Sequence, residues 1–281
     1  MEIKQVNRTN FDVRFAEREQ DFLFISDVHY DSVKCDRAKL RKHLDEAVKI
    51  NAPVFIFGDW FDLMQGKYDP RGTYSDLRPE YKSITYLDDV IEDSYEFFKK
   101  YGDIVKFLGR GNHETNIEKR LHTSPLDRLG QLLRHHGNDV KVGGYAGWIK
   151  FSHLRADEKT MRASSLLHYH HGFGGNARRS KGVLEVDLDG SQFSQASVIV
   201  RGHTHQKWYV PVTTDRVNAK LLPFQHTSHH LRLGSYKMLG DRFSGWATEK
   251  GFMTPRLGGW FAKTKVNGST ELQDWQFKEA N

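Results

Sequence analysis

A chain of 281 residues, 38% hydrophobic and 12% aromatic, carries enough apolar material for a core, which excludes a disordered polypeptide. Its one cysteine, Cys35, excludes an intrachain disulfide and a thiolate metal cluster, while a formal charge of +6 mildly favours an anionic partner such as a phosphate ester or nucleic acid. No apolar run is long enough to span a bilayer and the opening MEIKQVNRTN lacks the apolar stretch of a signal peptide, so the expectation is a soluble, cytoplasmic protein with no membrane partner.

The first strand-like run is FLFIS (22–26), and it is followed by Asp27-Val28-His29. A helical pattern over 37–50 puts Leu40, Leu44, Ala47 and Val48 on one face. PVFIF (53–57) is the second strand, leading into Gly58-Asp59-Trp60-Phe61-Asp62 and then a polar insertion over 63–85 that reads as a rim or lid. A helix over 86–102 gathers Leu87, Val90, Ile91, Phe97 and Phe98, and IVKFL (104–108) precedes Gly111-Asn112-His113-Glu114. A helix over 124–137 has Ser124 as N-cap, Pro125 at its first position and Gly137 as its stop. SSLLHY (164–169) runs into His170-His171-Gly172, and SVIV (197–200) into Arg201-Gly202-His203-Thr204-His205. Residues 206–281 read as further β structure, antiparallel, on the same core. No repeat or linker is visible, so a single domain over 1–281 is expected.

Short apolar strands alternating with helices imply an α/β fold with parallel strand pairs. Ligands of such sheets bind beyond the carboxyl ends of the strands, which is where all five segments place carboxylate, imidazole or amide groups. Asp27 and His29 are two apart, as are His203 and His205; on extended backbone each pair projects from one face. The donor set is oxygen and nitrogen without sulfur, suited to divalent ions such as Mn, Fe, Zn, Co or Ni. It exceeds the needs of one ion and fits a pair bridged by a carboxylate and a hydroxide.

The ordered series D-x-H, G-D-x-x-D, G-N-H-E, H-G and G-H-x-H, spanning residues 27–205, resembles the calcineurin-like metallophosphoesterase superfamily. The resemblance implies two packed mixed β-sheets flanked by helices, a four-layer sandwich. It implies one metal on Asp27, His29 and His205, Asp59 as bridge, and a second metal on Asn112, His203 and a histidine of the fourth segment. His171 is preferred there because it directly precedes Gly172; His168 and His170 stay open as rivals. It further implies hydrolysis of a phosphate ester by hydroxide attack, with His113 acting on the leaving group, Asn112 also touching the phosphate and Asp62 orienting His113 or a ligand. Manganese is the first choice of metal.

Against these stand plainer readings. Gly-Asn is an ordinary turn pair, Asp27 a strand-end residue and Asp59 a helix N-cap. RRSK (178–181) either holds substrate phosphate through Arg178 and Arg179 or is a solvated basic loop. His135, His136, His226, His229 and His230 read as non-ligands, and Trp208, Trp246, Trp260 and Trp275 as core. A phosphodiesterase of the nuclease kind suits the basic balance, with Arg110, Lys119, Arg120, Arg128 and Arg134 as further phosphate contacts. A small-molecule or nucleotide phosphomonoesterase is the alternative, and a non-catalytic binding protein on the same fold a third.

Overall fold

The computed structural model describes residues 1–63, 77–155, 160–175, 180–238, 256–266 and 273–281. Residues 64–76 of the expected rim insertion, Arg178, Arg179 and Trp246 lie outside them.

The apolar runs become strands as expected: β3 (Glu19–Ile25), β4 (Val54–Phe57), β5 (Val105–Gly109), β8 (Met161–His170) and β9 (Val198–Arg201). They do not share one sheet. β3, β4 and β5 pair in parallel, joined by β6 (Lys141–Val142) on one side and by antiparallel β12 (Trp260–Val266) and β13 (Gln273–Glu279) on the other. β8 and β9 belong to a second sheet with β1 (Glu2–Gln5), β2 (Asn10–Phe15), β7 (Ala146–Leu154), β10 (Lys207–Val217) and β11 (Pro223–Leu233). Its order is β1-β2-β7-β8-β9-β11-β10, against β13-β12-β3-β4-β5-β6 in the first. Both sheets are mixed, and the C-terminal β structure divides between them.

Alternation along the strands explains the layers. Phe22 and Phe24, Phe55 and Phe57, and Phe107 point from the six-stranded sheet into a core shared with Phe11, Phe15, Phe151, Leu167, Val198 and Leu231 of the other. The opposite residues Leu23, Ile25, Val54 and Ile56 face a second core formed chiefly with three helices. These are α1 (Arg37–Lys49), α2 (Tyr86–Phe98) and α4 (Pro125–His135), which bring Leu40 and Leu44, Val90 and Phe98, and Leu129 and Leu133. The Ser124 hydroxyl caps α4 by accepting from Asp127 N at 3.2 Å. The fourth layer is α5 (Glu185–Gln192), tied to the seven-stranded sheet by the buried Asp189–Arg201 pair and by Phe193 stacked on His168 at 3.6 Å. α3 (Asn112–Leu121) starts directly after β5.

Three details differ from expectation. Val48 is 46% exposed, because α1 turns only the Leu40/Leu44/Ala47 stripe inward. α2 ends at Phe98 rather than at 102, its last turn giving way to the Tyr101–Val105 connection. Trp260 and Trp275 are core, but Trp208 is half-buried, donating its indole N–H to Lys181 O at 2.9 Å.

Candidate metal centre

The carboxyl ends of β3, β4 and β5 lie beside those of β8 and β9, and the loops that leave them are laced together. Asp27 N donates to Gly58 O at 3.0 Å, His29 N to Asp59 O at 3.1 Å, and Gly202 N to His171 O at 2.7 Å. His203 N donates to both Asp27 carboxylate oxygens at 3.0 Å, joining the loop after β9 to that after β3. The expected extended backbone at the paired residues is not found. Asp27, His29, Asp59, His203 and His205 all have positive φ, between 50° and 69°. Left-handed backbone at every second residue turns each pair toward one centre, at a cost of about 1–2 kcal/mol per non-glycine residue.

Asn112 and His113 are not on a loop either. They occupy the first turn of α3, behind Gly111. Gly111 is required there by close approach: a Cβ on it would lie 1.9 Å from Asp59 Oδ1 and 2.5 Å from Asp59 N. Gly58, with φ of +99°, similarly leaves room for the His171 ring, since a Cβ would meet Nδ1 at 2.3 Å.

Two groups of donor atoms converge. In the first, His29 Nε2 lies 3.1 Å from His205 Nε2, which lies 3.5 Å from Asp27 Oδ1. In the second, Asp59 Oδ2 is 3.0 Å from His171 Nε2, and Asn112 Oδ1 is 3.2 Å from His171 Nε2 and 2.7 Å from His203 Nδ1. Asp27 Oδ1 is also 3.8 Å from His171 Nε2, so the two groups adjoin. Asp27/His29/His205 and Asp59/His171/His203 each bring three ligand atoms within 4.8 Å of one another, as does His29/Asp62/His113.

The outer ring nitrogens decide what the inner ones can be. His171 Nδ1 faces Phe57 O at 3.0 Å and His203 Nε2 faces Gly174 O at 3.0 Å. A carbonyl only accepts, so both nitrogens carry the proton, and in a neutral ring the partner nitrogen presents a lone pair inward. His29 Nδ1 faces the Asp62 carboxylate at 2.8 Å with the same consequence. Lone pairs of His171, His203, Asn112 and Asp59 therefore meet in a buried space, which is unfavourable until a cation or a proton enters. The donor set fits a divalent ion of the Mn-to-Zn series.

The electrostatics agree. Burial drives the His29 imidazole down to about 4 and the His205 imidazole down to about 3, so both are neutral near pH 7. Burial also opposes a charge on His171, but Asp59 and Asp27 outweigh it and hold the ring up to about 10. In the absence of metal, a proton on His171 is the cation of the second group. Asp59, despite burial, is held well below the usual carboxylate range by His171 and His113.

A profile of the calcineurin-like phosphoesterase family matches residues 21–207. The chain belongs to the calcineurin-like phosphoesterase family. Among solved structures, a metallophosphoesterase from Sphaerobacter thermophilus is 14% identical, covering 92% of this chain and 88% of its own, at a TM-score of 0.37. A predicted phosphoesterase from Streptococcus pneumoniae is 13% identical over 94% of this chain and 100% of its own, at 0.31. Vps29 from Entamoeba histolytica, solved with zinc, is 11% identical over 93% and 100%, at 0.34. Likenesses so distant do not bear on activity. No curated protein matches the chain significantly.

Of the three histidines open in the fourth segment, the structure brings His171 beside Asp59, Asn112 and His203. His168 instead lies between Phe193 and Trp148, and His170 Nδ1 accepts from Gly172 N at 2.9 Å. Asp62, expected to orient His113 or a ligand, contacts two rings: its carboxylate meets His29, and its backbone carbonyl accepts from His113 Nδ1. Of the expected phosphate contacts, Arg110 is consumed internally, by Glu118 at 2.7 Å, Gly143 O at 2.6 Å and Asp127. Arg128 pairs with Asp88.

Sequence reasoning gave no role to Glu114, Asp31 or Lys237. Glu114 is fully buried and accepts from Gly111 N at 2.8 Å, Phe61 N at 3.0 Å and Asp59 N at 3.2 Å, tying α3 to the loop after β4. Burial and Asp59 push its carboxyl up to about 7. Its place in G-N-H-E was the available signal. Asp31 and Lys237 lie outside every motif.

Proposed function

We propose that this chain is a dinuclear metal-dependent phosphoesterase, with one ion on Asp27, His29 and His205 and a second on Asn112, His171 and His203. Asp59 is the shared ligand. The observation that carries this reading is the convergence of inward lone pairs in two adjoining groups, with the rings of His29, His171 and His203 fixed from behind by acceptors. Bound divalent ions would polarise the phosphoryl oxygens and supply hydroxide near neutral pH. The chain's own part is positioning. Backbone strain and buried hydrogen bonds hold the ligands before substrate arrives, so no reorganisation is left for the reaction itself.

His113 is the proton donor to the departing oxygen. Its Nδ1 is engaged with Asp62 O, and its Nε2 lies 3.8 Å from Asp59 Oδ2 with the side chain 9% exposed, so the proton that moves is the one on Nε2. Asn112, in the first helical turn beside it, also contacts the phosphate. Manganese is our first choice of metal, and a phosphodiester of the nucleic-acid kind our first choice of substrate. The internal engagement of Arg110 favours a small phosphomonoester as the second reading.

The test is turnover of bis-p-nitrophenyl phosphate and p-nitrophenyl phosphate with Mn supplied, repeated with single- and double-stranded DNA and RNA across a salt series. A nuclease loses affinity steeply with salt, and a small-substrate enzyme does not. No turnover of any ester with metal bound would leave a binding protein on this fold.

A further inference from the structure

Lys237 reaches the candidate metal centre from the segment after β11. Its Nζ lies 2.6 Å from Asp62 Oδ1, with the lysine side chain 15% exposed and the aspartate 4%. That oxygen is also 2.8 Å from His29 Nδ1 and 3.8 Å from His113 Nδ1. Among the described residues, Asp27 and Asp59 have only histidines within ion-pair distance, so Asp62 alone of these three carboxylates meets a lysine.

The aspartate does not depend on the lysine for its place. Asp62 N donates to Asp31 Oδ1 at 2.5 Å, Leu63 N donates to Asp31 Oδ2 at 3.0 Å, and Tyr86 OH donates to the same oxygen at 2.7 Å. The loop is thereby fixed from the other side. A carboxylate behind a histidine ligand normally raises the ligand's basicity and tightens the metal. An ammonium on the same oxygen withdraws that effect and repels a dication through a buried region where charges are poorly screened.

We propose that Lys237 is a built-in counter-charge that weakens divalent-metal binding at the Asp27/His29/His205 site, leaving its ion exchangeable. The inference rests on the dinuclear reading above. Lys237 is a positioning residue: it acts on the metal through Asp62 and His29.

The experiment is calorimetric titration of the metal-free full chain with MnCl2, for the natural protein and for Lys237→Gln, Lys237→Met and Lys237→Arg. Gln still donates to Asp62 without charge, Met does neither, and Arg keeps the charge. Two binding steps are expected for the natural chain. Gln and Met should each tighten one step by about tenfold, roughly 1.4 kcal/mol, with the other step and the Arg variant unchanged. Loosening of a step by about 10–100-fold in Met alone, with Gln like the natural chain, would make the lysine an anchor and overturn the proposal. An unshifted pair of steps in Gln and Met overturns it too. Should Met fail to fold, Gln against Arg decides. A natural chain that takes up no Mn removes the dinuclear reading itself, an outcome recognisable before any variant is measured.

Discussion

Replacing Gly111 by Ala isolates the close approach between α3 and the loop after β4. Gly111 has φ −112° and ψ −172°, extended backbone open to any residue, and alanine keeps the N–H that donates to Glu114. Without a clash the exchange should stabilise the fold by about 0.4–1 kcal/mol through the unfolded chain. The added Cβ, however, would stand 1.9 Å from Asp59 Oδ1 and 2.5 Å from Asp59 N, where ordinary contact begins near 3.4 Å. The second distance is the decisive one, because backbone cannot swing aside as a side-chain end can. Asp59 is also held by His113 N at 3.0 Å and by Glu114 at 3.2 Å, so the loop must move by roughly 1 Å. A displacement of that size costs about 10²-fold in rate. Overpacking costs about 1–3 kcal/mol, for a net loss of stability near 1–2 kcal/mol. The assays are turnover of bis-p-nitrophenyl phosphate with Mn and a thermal melt. Natural activity combined with a raised Tm would refute the reasoning, since only the entropic effect would then be operating.

Asp59→Asn should abolish turnover while the circular dichroism spectrum is retained, because the carboxylate proposed to be shared is lost without a change of volume. His113→Ala should lower turnover by about 10²–10⁴-fold with Mn content near normal by mass spectrometry; loss of metal instead would make His113 a ligand. His43, buried in α1 with Nδ1 2.8 Å from Tyr236 OH, is pushed down to about 4 by burial. Its folded value is depressed, so its contribution is complete above pH 6.5 and is lost as pH falls toward 4, about 3 kcal/mol in all. Denaturant unfolding from pH 7 to 4 should show a loss about 3 kcal/mol smaller in His43→Gln than in the natural chain, since the other buried histidines titrate in both. Arg110→Met should cost roughly 1.5–3 kcal/mol in the same unfolding assay at pH 7 by removing the charged hydrogen bonds to Glu118 and Asp127, and leave the salt dependence of substrate affinity unchanged.

The five apolar runs were legible because strands buried on both faces read as unbroken Val, Ile, Leu and Phe. The donors after them were legible because Asp, His or Asn follows each strand end. The apolar pattern alone did not divide the runs into two sheets, since a doubly buried run looks the same in either; the family resemblance supplied that division, and the two mixed sheets bear it out. β2 and β7 escaped notice because Asp12, Arg14, Lys150 and Ser152 alternate with their core residues and break the apolar signal. α3 opens on Gly111 rather than on Ser, Thr or Asp, so the helix start read as a turn. Left-handed backbone at Asp27 and His203 has no local signature. It is imposed by bonds to Gly58 O and to the Asp27 carboxylate, partners 31 and 176 residues away. Lys237 was invisible for the same reason: only the fold brings it to Asp62.

The central claim is that two neighbouring sets of side chains each hold a divalent ion. The most direct measurement is native mass spectrometry of the Mn-loaded chain beside His29→Ala and His171→Ala. The account predicts two ions on the natural chain and one on each variant. A natural chain carrying a single ion, or two ions retained in both variants, would contradict it.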